Sequence, residues 1–332
     1  MTFGRSSKWR QWRQHIIDRC DQLTRGMTPP IPLQEIFAKC HVKEVVFQPL
    51  LLEAALAVDA DGFVVFVNCD DATRYTYQCA FDSVTQKGRY LPGRVRFSLA
   101  HELVHTFFYD TKQQPYINKL SASNSKEIES LEYACNFGAS NLLLPARSLK
   151  SQTQKADIIS VNGIVSIAKK YQVSIQCLIN RLEHLQLWTA QRGLVALVDE
   201  TAGKHRVKAV AKSVGVRELF NDVRVDSDLE EGLRMLPLPF EKMRRSIGPI
   251  SFDLAHPKKA GRDVAKCRLE YRRVARTKHT FVLAVSVYEV PRVNPAHKDR
   301  PAAGHHIAKL KEIIKQRGAS RQRNDIPTRT RP

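Results

Sequence analysis

The chain of 332 residues lacks a long hydrophobic run. Its longest unbroken apolar stretches, such as residues 63–67, are far shorter than the roughly 20 apolar residues that a membrane-spanning helix needs. The N-terminal sequence MTFGRSSKWRQWRQHIIDRC also lacks the apolar core of a secretory signal peptide. We therefore expect a protein that is neither secreted nor embedded in a membrane.

A paired cysteine motif is also lacking. The seven cysteines are scattered along the chain, and none belongs to a C-x-x-C pair. An odd, scattered set fits buried thiols in a reducing compartment better than a disulfide framework. We therefore expect a cytoplasmic protein.

Acidic residues are few relative to basic ones. The chain has 53 Lys and Arg against 33 Asp and Glu, which gives a formal net charge of +20. Residues 1–254 hold 33 basic and 27 acidic side chains, whereas residues 255–332 hold 20 and 6. A basic surface attracts anionic partners, of which nucleic acid is the commonest. We expect nonspecific nucleic-acid contact through the basic C-terminal part.

Composition and hydrophobic periodicity predict an α+β chain of five parts. These parts are an N-terminal amphipathic helix (1–27), a first α+β domain (28–150), a helical extension like a helix-turn-helix (151–190), a smaller α+β module of unknown role (191–292), and a basic, mostly disordered tail (293–332).

Within these parts the pattern predicts particular helices and strands. The predicted helices cover residues 95–109, 126–144, 164–170 and 174–185, and the predicted strands cover residues 63–68, 194–199, 206–211, 265–274 and 280–290.

The strongest chemical signal is the motif His101-Glu102-Leu103-Val104-His105. Histidines at positions i and i+4 lie one turn apart on one helix face and can bind one Zn²⁺ together. A neighbouring carboxylate can take a proton from zinc-bound water, whose pKa the metal lowers to about 7. We therefore predict His101 and His105 as zinc ligands and Glu102 as the catalytic general base.

A catalytic zinc site needs a third protein ligand from a second element. Glu132 lies on the next predicted helix, and Asn136, four residues later, could hold a ligand histidine through its other ring nitrogen. We predict Glu132 as the third metal ligand, with Glu129 and Glu127 as alternatives.

The segment around the motif resembles the ImmA/IrrE-type zinc metallopeptidases. Residues 96–105, RFSLAHELVH, are similar to that family's R-F-[ST]-L-A-H-E-L-G-H, and Glu132-x-x-x-Asn136 leads into Leu-Leu-Leu-Pro at 142–145. The later segment IAKKYQVS at 167–174 also fits. The resemblance implies that residues 28–150 are a zinc metallopeptidase domain of gluzincin-like fold. It also implies zinc on His101, His105 and Glu132 and a strand near residues 63–68 beside the substrate cleft.

The sequence departs from that family's pattern at two places. Val104 stands where the family has glycine, and we expect it to narrow the floor of the cleft. The stretch EYACNFGASN differs from the usual E-A-N-x-F-A-A, and we interpret its Cys135 as a small buried hydrophobe. The tyrosines that could stabilise a transition state are Tyr90, Tyr109, Tyr116 and Tyr133, and the sequence does not choose among them.

The resemblance implies a regulatory zinc endopeptidase that cleaves a protein substrate such as a helix-turn-helix transcriptional repressor. The alternative is a DNA-binding regulator with a vestigial or structural metal site, because residues 164–185 have helix-turn-helix spacing. Asn180 and Arg181 are the main side chains there that could contact bases.

Overall fold

The computed structural model describes most of the first two thirds of the chain and the strands that follow. The described residues are 7–82, 91–112, 117–118, 125–155, 160–186, 193–201, 204–213, 216, 246–255, 262–274 and 279–289. The predicted tail at 293–332 lies outside them.

The described residues form a mixed α+β structure, so the predicted class is confirmed. Its helices are α1 (Ser7–Leu23), α2 (Leu33–Lys39), α3 (Asp71–Asp82), α4 (Gly93–His105), α5 (Ser125–Leu143), α6 (Ala146–Lys155), α7 (Val161–Tyr171) and α8 (Ile175–Leu185). Its strands are β1 (Val42–Gln48), β2 (Ala54–Asp59), β3 (Gly62–Asn68), β4 (Tyr109–Asp110), β5 (Ile117–Asn118), β6 (Gly193–Thr201), β7 (Lys204–Lys212), β8 (Ser246–Ala255), β9 (Arg262–Arg273) and β10 (Thr280–Glu289).

The first sheet has three strands in the order β1-β3-β2. β3 pairs parallel to β1 and antiparallel to β2, so β2 forms one edge of the sheet. The strand predicted near residues 63–68 is β3, and it lies in the centre of this sheet. The sequence pattern missed β2, whose residues are half-buried or exposed rather than alternating.

Helix α4 packs against this sheet on one side and against α5 on the other. Its N-terminal part is held by Arg96, which is buried and donates a hydrogen bond of 2.8 Å to the carbonyl of Ile31. Helix α1 covers α5, where Trp9 makes edge-on ring contacts with Tyr133 and Phe137. The motif helix is therefore buried between a sheet and a helix pair.

Helices α7 and α8 follow as a tight pair. Ser160 and Ser174 cap the two N-termini by accepting hydrogen bonds from the backbone of Gly163 and Cys177. Arg181 of α8 is buried and donates to the carbonyl of Leu144, just beyond the end of α5. The α7–α8 pair therefore packs against the end of α5, and Arg181, one of the two side chains considered for base contacts, is buried inside the protein.

The C-terminal strands form a five-stranded antiparallel sheet in the order β7-β6-β10-β9-β8. It joins the helical part through α8, where the backbone N–H of Lys212 donates to the carboxylate of Glu183 at 2.9 Å. None of the described helices combines the length and hydropathy that a membrane span requires.

Candidate metal centre

The two motif histidines lie at the C-terminal end of α4, side by side. The Nε2 atoms of His101 and His105 are 3.1 Å apart, and both side chains are mostly buried. Among nearby carboxylates, that of Glu132 on α5 reaches both rings: one oxygen lies 3.1 Å from Nε2 of His101 and the other 3.5 Å from Nε2 of His105. The structure thus brings together the two histidines and Glu132, the glutamate that the sequence singled out.

These distances match those between ligands in a tetrahedral zinc site. With zinc to ligand bonds of about 2.0–2.1 Å, neighbouring nitrogen and oxygen ligands lie about 3.3 Å apart. The observed separations of 3.1 and 3.5 Å bracket that spacing. The two imidazoles and the Glu132 carboxylate are therefore spaced as ligands of one zinc ion would be.

Asn136 sets the orientation of His101. Its side-chain oxygen lies 3.1 Å from Nδ1 of His101. Because an amide oxygen only accepts, this contact suits a hydrogen on Nδ1 and leaves Nε2, on the side of Glu132 and His105, as the ring atom that would bind a metal. The predicted role of Asn136 in holding a histidine matches this contact.

Charge and burial shift the pKa values of the ionisable side chains at this centre. Burial lowers the pKa of His105 to about 4, and neighbouring His101 adds to the effect. Burial also opposes protonation of His101, but Glu132 and Glu102 together raise its pKa. A hydrogen bond from His101 lowers the pKa of Glu132. At neutral pH His105 is therefore a neutral imidazole and Glu132 a carboxylate, the forms in which both bind metal.

Glu102 lies beside these donors and faces the first sheet. It is buried, and burial raises the pKa of its carboxyl, with the charge of Glu132 adding to the shift. The backbone N–H of Leu56 on β2 hydrogen-bonds to this carboxylate and partly offsets the shift. A carboxylate with a raised pKa is suited to accepting and returning a proton near neutral pH.

A thiol also lies at the centre. Sγ of Cys135 and ring nitrogens of His101 and His105 all lie within 4.8 Å of one another. Cys135 is fully buried, and its burial and the charges of Glu132 and Glu102 raise the pKa of its thiol. From the sequence, Cys135 is predicted only to be a small buried hydrophobe.

Val104 does not narrow the floor of the cleft, so that expectation is wrong. Its side chain is fully buried and meets α5 at Gly138, where an added Cβ would lie 2.6 Å from a γ carbon of Val104. The larger residue on α4 is accommodated by the absence of a side chain on α5.

A cavity of about 590 Å³ adjoins the centre at Asn136. Phe97 of α4, Tyr133 and Phe137 of α5, and Asn180 of α8 contribute to its walls. Helix α8 thus forms part of the surroundings of the centre. Of the other tyrosines considered from sequence, Tyr109 packs edge-on against Phe63, and Tyr90 and Tyr116 lie outside the described residues.

Two packed helices that present two histidines, two glutamates and an orienting amide define a candidate metallohydrolase centre. Residues 89–183 match the family model of the IrrE N-terminal-like domain, Peptidase M78. This segment is therefore similar to the ImmA/IrrE peptidase family, as the sequence resemblance implied.

The chain was also compared with solved structures and with curated proteins. A solved structure described as a Mycobacterium tuberculosis transcriptional regulator is similar at a TM-score of 0.40 and 11% identity, over 84% of this chain and 80% of that chain. No curated protein matches the chain.

Proposed function

We propose that this protein is a zinc-dependent endopeptidase of the cytoplasm that cleaves a protein substrate, with a helix-turn-helix transcriptional repressor as the leading candidate. The observation that carries the proposal is the convergence of His101, His105 and Glu132, with Glu102 beside them, inside the segment that matches the family model. The repressor as substrate comes from the family resemblance.

In this proposal His101, His105 and Glu132 hold the metal, and Asn136 fixes the ring of His101. Zinc, when bound, polarises the scissile carbonyl and makes water more acidic. Glu102 takes the proton from the attacking water and delivers it to the leaving amine. Its buried position beside the metal ligands and its raised pKa support this role.

Strand β2 is proposed to align the substrate. Among the described residues its outer edge has no strand partner, and Leu56 within it contacts the proposed general base. An extended peptide can add to such an edge through backbone hydrogen bonds, which places a peptide bond near Glu102. The adjoining cavity offers room for a substrate side chain.

The test combines metal analysis with cleavage of a repressor encoded beside this gene. We expect one zinc per chain and cleavage by the wild type. Glu102→Gln should retain zinc but lose about 10²–10⁴-fold in cleavage rate, as expected for loss of a general base. Glu132→Ala should lose zinc, whereas Glu129→Gln, one turn earlier on the same helix, should change neither property.

If Glu102→Gln cleaved as fast as the wild type, or if purified wild type held zinc and cleaved no candidate repressor, the proposal would be wrong. The alternative of a DNA-binding regulator predicts salt-dependent DNA binding with a defined footprint that survives removal of residues 293–332. The burial of Arg181 argues against it.

A further inference from the structure

The thiol of Cys135 belongs to the same helix face as the proposed third ligand. Cys135 follows Glu132 by three residues, so both side chains project from α5 towards α4. Its sulfur lies within 4.8 Å of a ring nitrogen of each histidine. In a tetrahedral site with zinc to sulfur bonds of about 2.3 Å, sulfur and nitrogen ligands lie roughly 3.6 Å apart. A side-chain adjustment of about an ångström brings the sulfur to that distance.

The two donors on α5 differ in exposure. The side chain of Glu132 is 49% exposed, whereas Cys135 is fully buried beneath the histidines. Glu132 can therefore move towards solvent, but the thiol stays at the centre. Thiolate sulfur is also a softer donor than carboxylate oxygen and binds zinc strongly.

We propose that Cys135 is a further metal donor that closes the centre. When the metal enters, the S–H bond breaks, its proton passes to solvent, and a sulfur to metal bond forms, with no change of oxidation state. Two imidazoles, the Glu132 carboxylate and this thiolate fill four positions, the pattern of closed structural zinc sites, whereas a catalytic site keeps one position free. The sulfur therefore favours retention of the metal and restrains activity.

This inference rests on the proposed function, and cobalt substitution tests the two separately. Co²⁺ is added to metal-free wild type, Cys135→Ala and Cys135→Ser, with Cys40→Ala as a matched control because Cys40 is also buried. Thiolate bound to Co²⁺ gives a charge-transfer band in the near ultraviolet, which nitrogen and oxygen ligands do not give.

We expect the band in the wild type and in Cys40→Ala and its loss in both Cys135 variants. Zinc affinity, measured by chelator competition, should fall at least tenfold in Cys135→Ala, and cleavage per bound zinc should rise at least twofold. The nearly isosteric Cys135→Ser keeps the test valid if the alanine variant folds poorly.

A wild-type spectrum that shows bound Co²⁺ without the thiolate band would overturn this inference and leave the proposed function intact. Absence of any Co²⁺ binding by folded wild type would instead overturn the metal centre itself, and the role of Cys135 with it.

Discussion

Replacing Gly138 by alanine tests how closely α4 and α5 must approach. The added Cβ would lie 2.6 and 2.7 Å from the two γ carbons of Val104 and 3.1 Å from Cγ2 of Ile16. Valine is stiff at χ1 within a helix, and Val104 is fully buried, so its methyl groups cannot turn away. Two contacts well below 3 Å therefore require the helices to separate.

Two opposing effects decide how much Gly138→Ala changes the free energy of unfolding. Overpacking of a core costs about 1–3 kcal/mol. Alanine in place of glycine inside a helix gains about 1 kcal/mol. Because both methyl groups of Val104 are affected, the overpacking cost lies in the upper part of its range. We expect Gly138→Ala to lower the free energy of unfolding by about 1–2 kcal/mol.

The effect of Gly138→Ala on the free energy of unfolding should change sign when Val104 is also replaced by alanine. Val104→Ala alone removes two buried methyl groups and leaves a small cavity, which costs about 2 kcal/mol. In that background the alanine at 138 no longer meets the γ carbons, and only the contact with Ile16 needs a small shift. Gly138→Ala should then stabilise the protein by up to about 1 kcal/mol.

Urea unfolding of the metal-free wild type, both single variants and the double variant measures this coupling. Zinc affinity provides a second measurement, because separation of the helices would move Glu132 of α5 away from the histidines of α4. The affinity should fall in Gly138→Ala and recover in the double variant. Additive effects, or a Gly138→Ala protein as stable as the wild type, would refute the close contact between the helices.

Four further predictions follow from the centre and its surroundings. Asn136→Ala should weaken zinc binding about 10–100-fold in chelator competition, because the ring of His101 loses its orienting partner; an unchanged affinity would contradict this role. Arg181→Met should lower the free energy of unfolding by about 2 kcal/mol in urea, since a buried charged hydrogen bond is lost; a change under 0.5 kcal/mol would show that the bond is unimportant. Glu132 and Glu102 raise the pKa of His101 despite its burial. Zinc affinity should therefore be full above that pKa and fall as the pH drops through it. An affinity that does not change between pH 8 and pH 5 would contradict this prediction. Asn180→Trp should fill the cavity and raise the KM for the substrate at least several-fold with zinc content unchanged, whereas an unaltered KM would place the substrate elsewhere.

The sequence predicted the parts of the centre that lie on one helix or at fixed helical spacing. His101 and His105, four residues apart, needed only the geometry of α4, and Glu132 and Asn136 needed only that of α5. The contact between these helices was inferred from chemistry, because one metal requires donors from both. The bounds of α5 also agree closely, since Pro145 follows it, whereas the helix predicted over residues 95–109 ends at His105 and is followed by a 3-10 turn and β4.

What the sequence could not predict depends on how elements pack. Strand β2 lacks a clear alternation because it is an edge strand beside the helix, so neither face is wholly buried. Val104 was assigned to the cleft because the pattern of α4 does not reveal that its neighbour on α5 is a glycine. Arg181 was counted as available to DNA, although the carbonyl of Leu144 holds it inside the protein.

The hydrogen bond between Arg181 and Leu144 has a practical consequence for truncated forms of the protein. A fragment that stops at residue 150 would leave that carbonyl without its guanidinium and expose the surface under α8 to water. A fragment that starts at residue 28 would uncover Gly138, against which Ile16 and the thiol of Cys20 pack. A shortened form of the protein should therefore keep at least residues 7–213, so that both α1 and α8 remain packed on α5.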